Sequence, residues 1–189
     1  MNNDGTGRSR LLYVVTGGFQ AALALDRVAA AQHDGRFEVQ VILTRSAQRF
    51  LTRLALGAIA QRVPLIDAFD EHDHALHVEL ADWADGVIVH PATMDFVARL
   101  AHGFGNSPAL LAIQCTRAPV VVCPSLPPGG AYNEGYRDNV RRLSLRDNVS
   151  VVAPVSGISA SSGSEGIGVC VPFEQALSAL ADLKTDMLE

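Results

Sequence analysis

Apolar residues along this chain fall into two alternating patterns. Short apolar runs, mostly flanked by glycine or proline, predict buried strands at 11–15 (LLYVV), 37–43 (FEVQVIL), 86–90 (GVIVH), 119–123 (PVVVC) and 149–153 (VSVVA). Between them, stretches rich in alanine and leucine or with apolar residues three and four apart predict helices. These fall at 19–32, 46–60, 74–84, 94–103, 135–146 and 173–188, with a short one at 109–115. Ser46 is placed to cap the second helix. Strands alternating with helices predict an α/β fold: a Rossmann-like (flavodoxin-like) open parallel sheet with helices on both faces. Two segments rich in glycine with proline or serine, 124–135 and 156–168, read as loops long enough to cover a site.

Ligands of such sheets bind beyond the carboxyl ends of the strands. Three strand ends here carry the same chemistry. Thr16-Gly17-Gly18-Phe19 closes the first strand, where glycine lets backbone approach a ligand and a helix start offers free N–H groups to an anion. Thr44-Arg45-Ser46 repeats the arrangement with two hydroxyls. Pro91-Ala92-Thr93-Met94-Asp95 adds a rigid turn, a small residue and two side chains able to bond a ligand or cap the next helix. No GxGxxG is present, and no acidic residue is spaced to hold a ribose in the dinucleotide manner.

Composition narrows the rest. With 189 residues, 48% of them hydrophobic, the chain can bury one core, so residues 11–189 are expected to form a single domain behind a flexible segment, 1–10. A net charge of −5 argues against a protein that coats nucleic acid. Cys115, Cys123 and Cys170 are widely spaced with no CxxC pair, which suits reduced thiols and a cytoplasmic location. LLYVV is too short for a membrane span or signal-peptide core, so no membrane association is expected. His72, His74 and His77 form HxHxxH, but no further ligand converges on them, and no metal is expected.

The longest informative stretch is HVELADWADGVIVHPATMDFVARLAHGFGNSPALLA, residues 77–112. It resembles the homo-oligomeric flavin-containing cysteine decarboxylases, which include lantibiotic peptide decarboxylases and phosphopantothenoylcysteine decarboxylase. Their pattern is a His-hydrophobe-x-Leu segment, an acidic turn, an apolar strand and Pro-Ala-Ser/Thr-x-Asn/Asp. Here these read His77-Val78-Glu79-Leu80, Ala84-Asp85, Val87-Ile88-Val89 and Pro91 to Asp95, with fourteen positions from His77 to Pro91. The resemblance implies bound FMN (FAD fits the same chemistry). Its phosphate would lie near Gly17, Gly18, Thr44 and Ser46, and its ring and ribitol near Phe19 and Pro91 to Asp95. It also implies a trimer, or trimers assembled further into a dodecamer, with flavin at subunit interfaces. His77 matches the family's active-site histidine. Imidazole suits removal of a thiol proton, after which the adjacent carbon can give up hydride, CO2 can leave the resulting thioaldehyde, and an enethiol remains.

Two departures from the family pattern sharpen this expectation. The family motif Pro-x-Met-Asn-x-x-Met-Trp, whose Asn helps hold substrate, reads Pro124-Ser125-Leu126-Pro127-Pro128-Gly129-Gly130-Ala131 here. Proline at 127 offers neither an amide side chain nor a backbone donor. Tyr132, Asn133, Arg137, Arg141 or Arg142 are the candidates to replace that grip, the arginines otherwise forming a solvated helix face. In the second loop, Ser161-Ser162-Gly163 stands where phosphopantothenoylcysteine decarboxylases carry a reducing cysteine. Lantibiotic decarboxylases also show Ser-Ser-Gly there, where it helps cover bound peptide. The expected activity is therefore oxidative decarboxylation of the C-terminal cysteine of a ribosomally made precursor peptide. Phosphopantothenoylcysteine decarboxylation, flavin prenyl transfer and a non-catalytic flavin-binding subunit remain as alternatives.

Overall fold

A computed structural model describes residues 7–158 and 163–188. Six parallel strands form the main sheet: β1 (Ser9–Val15), β2 (Phe37–Leu43), β3 (Leu65–Ile66), β4 (Gly86–Thr93), β5 (Val120–Ser125) and β6 (Val149–Val151). Their order is β3-β2-β1-β4-β5-β6. The chain winds one way from β1 to β3 and the other way from β4 to β6. Its topological switch point thus lies between β1 and β4, the place where open α/β sheets bind ligands. Leaving out the two-residue edge strand β3, the order is that of a flavodoxin-like sheet.

Alternation along β1 shows why both faces are covered. Leu11, Tyr13 and Val15 pack into one cluster with Val28 of α1 (Ala24–His33), Leu56 of α2 (Arg53–Ala60) and Phe173 of α7 (Phe173–Asp186). Leu12 and Val14 pack into the other. That cluster takes Leu80 from α3 (Leu76–Trp83), Val97 from α4 (Met94–Ala101), Leu110 from α5 (Pro108–Cys115) and Tyr136 from α6 (Glu134–Leu143). Both faces being apolar, the strand appears in sequence as an unbroken run.

Several elements depart from the sequence expectation. Ser9 and Arg10 already belong to β1, so the leading segment is shorter than residues 1–10. The helix expected over 19–32 opens as a tight 3-10 turn at Phe19–Leu23 before α1 begins. The helix expected over 46–60 is a 3-10 turn at Ala47–Arg49, an interruption, and then α2. Thr52, not Ser46, caps α2, its hydroxyl accepting from the Ala55 N–H at 3.2 Å. The second expected loop contains an antiparallel hairpin, β7 (Val155–Ile158) and β8 (Glu165–Val169). Among the described residues no helix is long and apolar enough to cross a membrane.

Candidate functional site

The site is built where β1, β4 and β5 end. Thr16, immediately after β1, turns inward. Its buried hydroxyl donates to the Pro91 carbonyl at 2.7 Å and accepts from the Thr93 N–H at 2.8 Å. This one side chain ties the end of β1 to the end of β4 and fixes where Thr93 sits. Thr93 then caps α4, accepting from the Phe96 N–H, and Asp95 in the first turn pairs with Arg99.

The two glycines differ in how closely they pack. A Cβ on Gly17 would stand 2.3 Å from Ser46 Oγ and 2.4 Å from Ser46 Cβ. A Cβ on Gly18 would meet Pro91 at 3.6 Å and Ser125 Oγ at 3.7 Å. Gly17 thus lets β1 pack against the turn after β2, whereas a Cβ at Gly18 would make only ordinary contact with β4 and β5. In that turn the Thr44 and Ser46 hydroxyls lie 3.1 Å apart, and Thr44 Oγ1 accepts from the Ala47 N–H. Ser46 makes no cap bond, and among the described residues its exposed hydroxyl pairs only with that of Thr44.

Above these turns lies a cavity of about 810 Å³. Its floor is Gly17, Gly18, Phe19 and Gln20, one side is Thr93, Met94 and Asp95, and the other is Ser125 to Gly129 with Tyr132. The hairpin forms the roof through Gly157, Ile158 and Ser164 to Val169. Glycine serves close packing here. A Cβ on Gly168 would stand 2.7 Å from the Leu126 carbonyl oxygen, to which Gly168 is joined by the bond from Leu126 N–H to its own carbonyl. Pro127 lines the wall, but with no polar side chain to offer.

Of the residues singled out in sequence, the cavity gathers Gly17, Gly18, Phe19, Thr93, Met94, Asp95 and Tyr132. Thr16, Pro91 and Ala92 stand behind it as framework, Ala92 fully buried and paired with Pro124. Thr44 and Ser46 flank it through Gly17. Asn133 is spent as a helix cap, its Oδ1 accepting from the Tyr136 N–H at 3.0 Å. Arg141 pairs with Asp138 on the exposed side of α6 and does not line the cavity. Gly163 adopts a left-handed φ of 67° ahead of β8, also outside the lining. Ser161 and Ser162 lie outside the described residues. Sequence reasoning missed Ser125, Leu126, Ile158 and Glu165 to Val169 as lining residues. The only advance signal was that their segments read as covering loops.

His77 occupies the first turn of α3, beside the end of β3, and does not line its own chain's cavity. Phe69 meets its ring edge-on, centroids 5.9 Å apart. Its Nδ1 is buried with no hydrogen-bond partner, although the ring as a whole is only half-buried. Its HxHxxH companions have separate partners: His72 Nε2 lies 2.7 Å from the Ile66 carbonyl, and His74 pairs with Glu79. Among the described residues no group of three or more His, Cys, Asp or Glu could hold a metal ion. His90 faces away from the cavity, with Nε2 2.7 Å from the Val171 carbonyl and its ring edge-on to Phe173.

Residues 2–183 match the family described as Flavoprotein. The chain belongs to the flavoprotein family. It aligns along its whole length with the crystal structure of the cypemycin decarboxylase CypD, at 30% identity and a TM-score of 0.78, and covers all of that chain too. The cypemycin cysteine dehydrogenase (decarboxylating) of Streptomyces sp is 38% identical over 125 residues, 65% of this flavoprotein and 64% of that protein. The coenzyme A biosynthesis bifunctional protein CoaBC of Vibrio vulnificus is 33% identical over 150 residues. That match takes in 78% of this chain but spans only 37% of CoaBC. The FMN-dependent cysteine decarboxylase SpaF, at 23% identity and a TM-score of 0.79, shares the fold.

The geometry of this flavoprotein fits a flavin nucleotide. A planar ring system needs apolar walls, which Phe19, Met94 and Leu126 provide. A phosphate needs backbone and hydroxyl donors in a place that side chains leave clear. Thr44 and Ser46 present hydroxyls beside the Gly17 backbone, which packs so closely on Ser46 that no Cβ fits between them.

Proposed function

We propose that this flavoprotein binds FMN and oxidatively decarboxylates the C-terminal cysteine of a ribosomally made precursor peptide, giving an enethiol that can go on to an aminovinyl-cysteine ring. One observation carries the reading. The cavity at the β1/β4 switch point is roofed by a hairpin, in a chain that aligns end to end with cypemycin decarboxylase. A volume of about 810 Å³ lies within the range of small-molecule and cofactor sites and leaves room beside a cofactor for a peptide end.

In this reading Gly17, Gly18, Thr44 and Ser46 hold the phosphate, and Phe19 with Thr93 to Asp95 bounds the ring. FMN, when bound, supplies the oxidation by accepting hydride from the cysteine β-carbon. The protein supplies the proton transfers, the orientation and the exclusion of water. The β7–β8 hairpin closes over the peptide end. His77 takes the thiol proton. Because His77 stands outside its own chain's cavity, the catalytic unit is a homo-oligomer, a trimer or a dodecamer, with flavin at the subunit interface. There His77 of one subunit serves a neighbour. Phe69 and Val78, large apolar side chains 44% and 50% exposed beside it, are suited to burial in that contact.

The test is a visible spectrum of the purified protein, followed by mass spectrometry of cysteine-ended peptides after aerobic incubation. A yellow protein that removes about 46 Da, two hydrogens and CO2, supports the reading. A yellow protein that instead decarboxylates phosphopantothenoylcysteine overturns the peptide substrate and favours the chemistry named for the CoaBC relatives. A protein that cannot be loaded with FMN or FAD overturns both.

A further inference from the structure

A cation is the strongest partner for a substrate that ends in a carboxylate, yet none of the cavity-lining residues is Lys, Arg or His, while Asp95 and Glu165 both are acidic. Three arginines stand one side chain behind the wall. Arg27 donates to the backbone carbonyl and side-chain oxygen of Gln20, at 3.0 and 3.1 Å. Arg99 is joined to Asp95 at 2.9 Å. Both are spent on the wall itself. Arg137 differs. Its guanidinium carbon lies 5.9 Å from the centroid of Tyr132, a cavity residue that is 61% exposed. Stacking on a ring face consumes no N–H donor, so the planar fork keeps its capacity for a two-pronged bond to a carboxylate. Asp138, one residue further along α6, is already paired with Arg141.

Resting on the peptide-decarboxylase reading above, we propose that Arg137, steadied by the Tyr132 ring, receives the C-terminal carboxylate of the substrate at the cavity wall. It is a specificity residue: it selects chains that end in a free carboxylate and sets their position beneath the hairpin. It takes no part in the proton transfers. Arg141 and Arg142, further along the same helix, have no such station beside a lining ring.

The experiment uses FMN-loaded protein with a short peptide ending in cysteine. Unreactive peptides ending in serine or serinamide serve as competitive inhibitors. In the wild type the free acid should inhibit about 10-fold or more better than the amide, the scale of one charge-assisted pair. Arg137→Gln should erase that preference and raise KM about 10- to 100-fold, leaving kcat within a few-fold and the flavin spectrum unchanged. Arg137→Lys should fall between, since it restores charge without the fork. Arg142→Gln should behave as wild type. An active Arg137→Gln with unchanged KM and an intact acid-over-amide preference would overturn the assignment. A wild type that turns over no cysteine-ended peptide would instead overturn the functional reading, and the role of Arg137 with it.

Discussion

Replacing Gly17 with alanine tests the cradle at its tightest point. The added Cβ would lie 2.3 Å from Ser46 Oγ, 2.4 Å from Ser46 Cβ and 3.0 Å from the Ser46 carbonyl carbon. Ordinary contact between such atoms is about 3.5 Å, so the two closest approaches are short by about 1 Å. Rotating the Ser46 hydroxyl relieves only the first. Cβ and the carbonyl carbon move only with the backbone, and that backbone is tied at both ends. Thr44 N–H donates to Val15 at 3.0 Å, and Ala47 N–H donates to the Thr44 carbonyl at 3.0 Å. Forcing it aside should cost about 1–3 kcal/mol, as overpacking usually does. For a chain of this length that is a fall of about 2–10 °C in Tm.

The Ser46 side chain that the methyl group displaces carries a hydroxyl proposed to bond the phosphate, so FMN affinity, read by titration of the visible spectrum, should fall about 10-fold or more. Ser46→Gly in the alanine background removes the two closest clashing atoms. It should restore most of the lost Tm but not the affinity, because the hydroxyl goes with them. Together with Ser46→Gly alone this completes a double-mutant cycle, in which the stability terms are strongly coupled. A Gly17→Ala protein that keeps its Tm within 1 °C and its FMN affinity within about twofold would show that the glycine makes no cradle.

Three further outcomes are expected. Thr16→Val keeps the shape but leaves the Pro91 carbonyl without its side-chain bond and the Thr93 N–H without an acceptor, so it should cost about 1–3 kcal/mol in urea unfolding and weaken FMN binding; unchanged values would refute its role as a tie. His77→Ala should leave FMN bound while turnover falls about 10²- to 10⁴-fold, and undiminished turnover would exclude it as the base. Asp85 tests a pH dependence. Partial burial pushes its carboxyl upward, but the bonds and charge of Arg10 more than offset this, and the net shift is downward. The folded state therefore holds the charged form better than the unfolded chain does, so the contribution is present at neutral pH and fades as pH falls through the folded value. Asp85→Asn should lose about 1 kcal/mol at pH 7, a modest figure because the pair is partly solvated, and the gap to wild type should narrow below about pH 4. A gap that stays constant with pH would rule out the ion pair as its source.

The main sheet was legible because burial on both faces leaves no polar alternation to misread. LLYVV is a strand whichever side each residue takes. β3 escaped notice because two residues after Pro64 make no pattern, although they extend the sheet and carry the chain to Asp67. That carboxylate accepts from Ser107 Oγ and the Ala109 N–H and so anchors the start of α5. The helix over 46–60 was overextended because apolar spacing runs on through the break. Only the bond from Ala55 N–H to Thr52 shows that the helix starts afresh there. The hairpin was hidden by its own glycines. Glycine-rich sequence reads as loop, yet Gly157 and Gly168 are places where Val169 and Leu126 leave no room for a side chain.

The site followed a similar division. Strand ends bearing glycine, hydroxyl and proline pointed to the edge of the sheet where the cavity lies, because cavities of open α/β sheets follow their topology. What each side chain does there depends on contacts between distant parts of the chain. Thr16 looks in sequence like a ligand contact, but it meets Pro91 and Thr93 and becomes the frame on which the wall is hung. Arg141 has the charge and helix position of a carboxylate ligand, but Asp138 one turn earlier takes it. Arg137 has the same charge on the same helix, and Tyr132 decides its difference by joining it to the cavity wall without using its donors. Residue type nominates the chemistry at such a site, and the neighbour that does or does not consume it determines which nominee is free to act.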